Sequence, residues 1–266
     1  MSHPVLSIKN ASLQLSDQQL WSNLNLEVAP HEFIAIIGAN GSGKTTLLKA
    51  ILGQIALTEG SIELEGKKVA RGSRRIGYIP QHRNGEASAS MRAIDLLRLG
   101  FDGHRFGLPL LSRKARAKVN HILDCIDGHE LALSKVSELS GGQLQRFRVG
   151  QAVIGEPSLI LADEPLSALD LAQQKTISDL LDQERRDHNA AVLFVTHDVN
   201  PILSMVDRVL YLANGKFRIG TPDEVLRSDV LSELYETPVD VLRNQGRIVV
   251  VGTQQHDHHD HEEWTA

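Results

Sequence analysis

Cysteine is nearly absent: Cys125 stands alone among 266 residues, so no internal disulfide can staple the chain. A reducing compartment fits that usage, as does any setting for a cysteine-poor protein. Long apolar runs are missing too. No stretch approaches the roughly 18 consecutive apolar residues that a membrane-spanning helix needs. Met1 to Asn10 shows no basic segment followed by a long apolar one, so the chain reads as soluble and unexported, and any membrane role has to run through a partner. Nor is there an excess of positive charge: 28 Lys and Arg face 33 Asp and Glu, a formal charge of −5. No global field favours a nucleic-acid backbone or an anionic membrane. What is present is 41% apolar composition, enough for the core of one large α/β domain or two smaller ones.

The hydrophobic pattern divides the chain in three. Apolar alternations around Leu6 to Leu15 and Leu24 to Val28, the dense run Phe33 to Ile37, and the short stretches Ser61 to Leu64 and Ile76 to Ile79 read as strands, with a helix from about Lys44 to Gly53. From about Asn84 to Gly155 the period becomes helical, with Ala115, Val119, Ile122, Leu123 and Ile126 on one face. Cys125 falls beside that face and reads as a packing residue. Strands then return at Leu159 to Ala162, Ala191 to Val195, Arg208 to Leu212 and Phe217 to Gly220, with an amphipathic helix over about Leu169 to Arg186. Strands on both sides of the insertion are expected to share one mostly parallel, doubly covered sheet. The expected organisation is a single α/β domain over residues 1–243. Its core is about 1–83 and 156–243, with a helical subdomain about 84–155 and a terminal strand and His/Asp-rich tail over 244–266.

Two motifs carry chemistry. Gly38-Ala39-Asn40-Gly41-Ser42-Gly43-Lys44-Thr45 fits a phosphate-binding loop at every fixed position and lies between an expected strand and an expected helix. Glycines let backbone N–H groups close around phosphate oxygens at a helix amino terminus, where the dipole favours negative charge. Lys44 would reach the β and γ phosphates, and the Thr45 hydroxyl would be a hard-oxygen ligand for magnesium. Second, Leu159 to Ala162 is an apolar strand running into Asp163 and Glu164. Taken alone such an acid pair also serves as a helix cap. With a phosphate loop upstream, Asp163 becomes the magnesium carboxylate and Glu164 the group that polarises an attacking water.

Between these motifs stands Leu139-Ser140-Gly141-Gly142-Gln143, ahead of a helical stretch. The pentapeptide is the signature of ATP-binding cassette (ABC) ATPases, and the chain resembles that family over nearly its full length. The resemblance implies a P-loop NTPase fold with an antiparallel β subdomain and an inserted helical subdomain. It also implies an ATP site that includes Thr46, and a homodimer in which Ser140, Gly141, Gly142 and Gln143 meet the γ-phosphate held by the other subunit. Gln81 would be the glutamine that senses magnesium, Ser167-Ala168-Leu169-Asp170 the inter-subunit loop, and His197 the switch histidine. The implied partners are integral-membrane permease subunits at the cytoplasmic face and, indirectly, an extracellular or periplasmic metal-binding protein. No nucleic acid is among them. One departure stands out. The family stacks adenine on an aromatic residue ahead of the phosphate loop, and the aligned position is Leu15; Trp21, nearby, reads as core.

Importers of the family keep the ATPase as a separate subunit, so import is favoured. Met91 to Gly107 and His197 through Gly215 resemble the ATPases of manganese and zinc importers, and the tail His256-Asp257-His258-His259-Asp260-His261 offers a zinc or manganese ligand set with no closed tetrahedral spacing. Its plainer reading is a solvated terminus. Cargo cannot be derived from cassette chemistry. A transporter of another cargo remains open. So does a soluble ABC ATPase of translation or DNA repair, which the single cassette and the lack of a heptad run or basic tract disfavour.

Overall fold

The computed structural model describes residues 3–15, 18–81, 90–102, 113–167 and 169–252. Strands β1 (Leu6–Leu15) and β2 (Gln18–Val28) open the chain, followed by β3 (Phe33–Gly38), helix α1 (Lys44–Ile51), β4 (Glu59–Leu64), β5 (Lys67–Lys68) and β6 (Ile76–Ile79). Helices α2 (Ala93–Asp102), α3 (Arg113–Cys125) and α4 (Gly141–Val153) come next, then β7 (Leu159–Asp163), α5 (Leu171–Asp187), β8 (Ala191–Val195), β9 (Arg208–Ala213) and β10 (Lys216–Gly220). The short helices α6 (Pro222–Val225) and α7 (Ser228–Tyr235) lead to a hairpin, β11 (Val239–Asn244) and β12 (Arg247–Gly252).

The central sheet has the order β10-β9-β3-β8-β7-β6. All its pairings are parallel except β9 with β10. Every residue of β3, β7 and β8 is buried, as a parallel sheet covered on both faces requires. The period of two sorts the side chains: Phe33, Ala35 and Ile37 enter a core with α5 and the insertion, whereas Ile34 and Ile36 enter one with α1 and the antiparallel sheet β2-β1-β4-β5. Each buried Ile or Phe among them contributes about 1.5–3 kcal/mol relative to exposure. The result is the expected α/β architecture, a P-loop NTPase core with an antiparallel β subdomain and a helical insertion.

Strand β6, before the insertion, pairs in parallel with β7, after it, from Ile76 opposite Leu159 to Ile79 opposite Ala162. The insertion is therefore an enlarged crossover between neighbouring strands. In α3, Val119, Ile122 and Leu123 are buried, and Ile126 just beyond is fully buried, so the 3.6-residue stripe faces inward as expected. Cys125 is half-buried against the same core. The structure departs from the sequence reading in several places: β2 begins at Gln18 rather than Leu24, and α1 ends at Ile51 rather than Gly53. Helix α5 starts at Leu171 because Asp170 caps it, its carboxylate accepting from Gln173 N–H, and the first strand is bulged rather than regular, with Asn10 at φ 47°. Trp21 is fully buried, as read.

Candidate nucleotide site

The parallel order β3-β8-β7-β6 brings four chain segments together at the carboxyl ends of adjacent strands, the place where open α/β sheets bind ligands. The loop after β3 climbs from Gly38 to Lys44. Gly38 has φ +152° and a Cβ there would sit 2.0 Å from the Leu212 carbonyl oxygen, so only glycine lets β3 leave the sheet so close to β9. Gly43 caps α1 in the left-handed region at φ 92°, and a Cβ would fall 2.9 Å from the indole nitrogen of Trp21. The loop is thus wrapped over a buried tryptophan, a constraint with no local sequence signal.

Lys44 is buried, and its Nζ donates to the carbonyl oxygens of Gly38 at 2.7 Å and Ala39 at 2.9 Å. Burial pulls its pKa below the usual lysine value, opposed by the carboxylates of Glu164 and Asp163. An ammonium held this way lacks a full set of water partners and is poised for an anion. Thr45 and Thr46, in the first turn of α1, are half-buried, and the Thr45 hydroxyl donates to Asp163 Oδ1 at 3.1 Å. The other oxygen, Asp163 Oδ2, is buried and without a hydrogen-bond partner. Burial pushes the Asp163 carboxyl above its ordinary value, the Thr45 bond opposing. A hard cation beside Thr45 and Asp163 would satisfy that orphaned oxygen, so the donor set fits magnesium.

Asp163 and Glu164 part company through backbone rather than strand alternation. Asp163 is the last residue of β7, and Glu164 turns into the left-handed region at φ 49°, its N–H bonded to the Val195 carbonyl at 3.0 Å. Such a conformation in a non-glycine residue costs about 1 kcal/mol or more and persists only where surroundings over-determine it. Here they do: Gln81 Nε2 donates to Glu164 Oε2 at 2.9 Å, His197 Nε2 lies 2.5 Å from Glu164 Oε1, and the Ser167 hydroxyl donates to the Glu164 carbonyl at 3.0 Å. Gln81 follows β6 and His197 follows β8, the two strands flanking β7, which is why residues 83 and 33 positions away meet one carboxylate.

A sequence profile of the ABC transporter family matches residues 21–167. This chain belongs to the ABC transporter ATP-binding family. A sulfate/thiosulfate import ATP-binding protein of Yersinia pseudotuberculosis is 32% identical over 254 residues, 91% of this chain and 68% of that protein. A zinc import ATP-binding protein of Pseudomonas fluorescens is 29% identical over 263 residues, 98% of this chain and 90% of that protein. Among solved structures, a chain from an inward-facing ABC transporter, described as of the metal-chelate type, superposes with a TM-score of 0.77 at 27% identity, covering 95% of this chain and 99% of that one.

The ABC signature lies where the insertion returns to the core. Ser140 caps α4, accepting from Gln143 N–H at 3.3 Å while Ser140 N–H donates to Gln143 Oε1 at 2.8 Å, a reciprocal capping box. Gly141 and Gly142 form the first turn of α4. Among the described residues no hydrogen bond joins this segment to the phosphate loop of its own chain. Leu15 is 44% exposed at the end of β1. The small cavity beside the phosphate loop is lined by Gln18, Gln19, Leu20, Asn40, Asn214 and their neighbours, without a ring. Ala168, parts of Met91 to Gly107 and of Asn84 to Arg105, and the tail from 253 lie outside the described residues. Sequence reasoning passed over Thr196 and Asn200, which bracket His197; an isolated Thr or Asn in a loop carries no signal of its own.

Proposed function

We propose that this chain is the ATP-hydrolysing subunit of a bacterial ABC importer, acting as an ATP-bound homodimer on integral-membrane permease subunits at the cytoplasmic face, with a divalent metal, zinc or manganese, as cargo. The observation that carries the ATPase reading is the carboxylate of Glu164 held between Gln81 and His197 at the carboxyl end of β7, beside a phosphate loop whose lysine is buried and charged-partner-seeking. In this reading Gly38 to Gly43 wrap the phosphates with backbone N–H groups, and Lys44 turns from the Gly38 and Ala39 carbonyls to the β and γ oxygens. Glu164 accepts the proton side of an in-line water, Gln81 fixes its orientation, and His197 faces the γ-phosphate. Thr45 and Asp163, with Gln81 nearby, would hold magnesium, which when bound neutralises developing charge on the phosphates. Ser140 to Gln143 complete the site of the opposite subunit. Residues from about 84 to 155 form the subdomain that passes the motion to the permease. Among the described residues no helix is long and apolar enough to cross a membrane, which is in keeping with a peripheral subunit.

The metal cargo draws support from the zinc relative's near-complete coverage and from the metal-chelate structure. A second cargo reading, sulfate, is favoured by the relative of higher identity. Uptake of radioactive zinc, manganese and sulfate, in cells carrying the intact gene or Lys44→Ala, separates them. Loss of uptake of one metal is expected. Loss of sulfate uptake alone moves the cargo, and unchanged uptake of all three removes the importer reading for these cargoes.

A further inference from the structure

Beyond its contact with Glu164, the loop carrying His197 is tied to the far C-terminal end of the described chain. Asn200 lies three residues past His197 and opens a 3-10 turn, Asn200–Met205. Its carboxamide Nδ2 donates to the Ile248 carbonyl at 2.9 Å, and its Oδ1 accepts from Ile248 N–H at 2.8 Å. Both bonds together fit one orientation of a carboxamide and no carboxylate, because the side chain must donate and accept at once. Toward His197, Asn200 N–H and Nδ2 both donate to Asp198 Oδ1, at 2.9 and 2.7 Å. The Thr196 hydroxyl then closes the turn around His197, donating to the Asp198 carbonyl at 2.7 Å and accepting from Asp198 N–H at 3.1 Å.

The other end of this chain of bonds is firm. Ile248 is 6% exposed in β12, and β11 is held to α7 by Ser232, whose hydroxyl bonds both backbone groups of Val239, and by Ser228, which accepts from Val241 N–H. Arg243 of β11 donates to Asp223 Oδ1 at 2.6 Å. The loop from Val195 to Asn200 therefore has two fixed ends: the hydrogen-bonded end of β8, and a peptide of β12 reached through one side chain. His197, with 47% of its side chain exposed, is not fixed by packing. Its aim at Glu164 depends on where those two ends put the backbone.

We propose that Asn200 is a positioning residue for His197 and that through it the C-terminal hairpin β11–β12 sets the geometry of the switch histidine. The inference rests on the ATPase reading above. Asn200 acts by holding Asp198 and the 196–200 turn against β12. Removing the amide frees one end of the loop, which spreads the positions of His197 without altering the phosphate loop. Turnover should suffer while ATP binding does not.

The test measures ATP turnover by the full chain carrying Asn200→Ala or Asn200→Asp, each alone and combined with His197→Ala, with circular dichroism as the check on folding. Asn200→Asp keeps the volume and the acceptor for Ile248 N–H but replaces the donor by a charged oxygen facing Asp198 and the Ile248 carbonyl, so it breaks the same tie and serves if the alanine variant does not fold. The expected result is a kcat lower by about tenfold with a KM for ATP within about twofold, and no further loss in single-turnover rate when His197 is already alanine. A kcat that does not change, a loss that appears in KM instead, or the same fold-loss with and without His197 overturns the proposal. Failure of the underlying reading looks different: the unsubstituted chain would not hydrolyse ATP at all, or His197→Ala would leave turnover intact.

Discussion

His197 Nε2 lies 2.5 Å from Glu164 Oε1, while the other oxygen of the same carboxylate accepts from Gln81. Two residues, from the ends of the strands flanking β7, thus fix one side chain, and its carboxylate is already oriented. Replacing it by an amide keeps the shape and removes the negative charge that, in the proposed mechanism, activates water. Glu164→Gln should lower kcat by about 100-fold or more, in the range of a lost general base. ATP affinity should stay within a few-fold and an ATP-bound dimer should accumulate. Size-exclusion chromatography with ATP and a phosphate-release assay read both; full turnover by the variant sinks the assigned role.

Gly38 offers a test of the fold rather than the chemistry. With its φ of +152° and the Leu212 carbonyl 2.0 Å from a would-be Cβ, Gly38→Ala has to push β3 and β9 apart or distort the loop. A loss of about 3 kcal/mol or more in unfolding free energy is expected, since both strain and lost strand pairing contribute. Urea denaturation of the nucleotide-free protein measures it, and a change below about 1 kcal/mol would contradict the close approach.

The pH dependence of stability follows from Asp163. Burial raises its folded pKa above the ordinary carboxylate value, so the folded state binds this proton more tightly than the unfolded state. Stability from this group is then full below the ordinary value and is lost as pH rises through the raised one. Asparagine cannot ionise and has no such slope. Nucleotide-free Asp163→Asn should melt above the unsubstituted protein at pH 7, by about 2–4 °C, and the gap should close as pH falls toward the ordinary aspartate range. A gap that is constant from pH 4 to 8 would remove the burial argument.

Leu15 can be tested as the position aligned in the sequence reading with the ring on which ABC ATPases stack adenine. Leu15→Tyr should tighten ATP binding by up to about 0.5–1.5 kcal/mol, the increment of an aromatic stack, and sharpen preference over GTP. Equal affinity and turnover for both nucleotides, with and without the substitution, would show that position 15 lies away from the base.

Much of this was legible in the sequence for physical reasons. The strands β3, β7 and β8 are buried on both faces, so their apolar runs announce themselves, and the stripe of α3 has no polar interruption at Val119, Ile122 and Ile126. The phosphate loop is legible because its glycines follow from backbone geometry. What sequence could not supply is convergence. That Gln81 and His197 share Glu164 depends on the strand order β8-β7-β6, which no local pattern encodes. The left-handed turn at Glu164 and the bond of Asn200 to Ile248, 48 residues away, are equally invisible to periodicity.

The parallel pairing of β6 with β7 has a consequence for how such a subunit diversifies. Because the insertion leaves at the carboxyl end of one strand and returns at the amino end of its neighbour, its length and contents do not enter the register of the sheet. Closing a longer loop costs little, about 0.6 kcal/mol for each doubling. The segment can therefore be lengthened, shortened or reshaped while the Glu164 carboxylate stays where the sheet puts it, so that one part of the chain can vary in outline without disturbing the other.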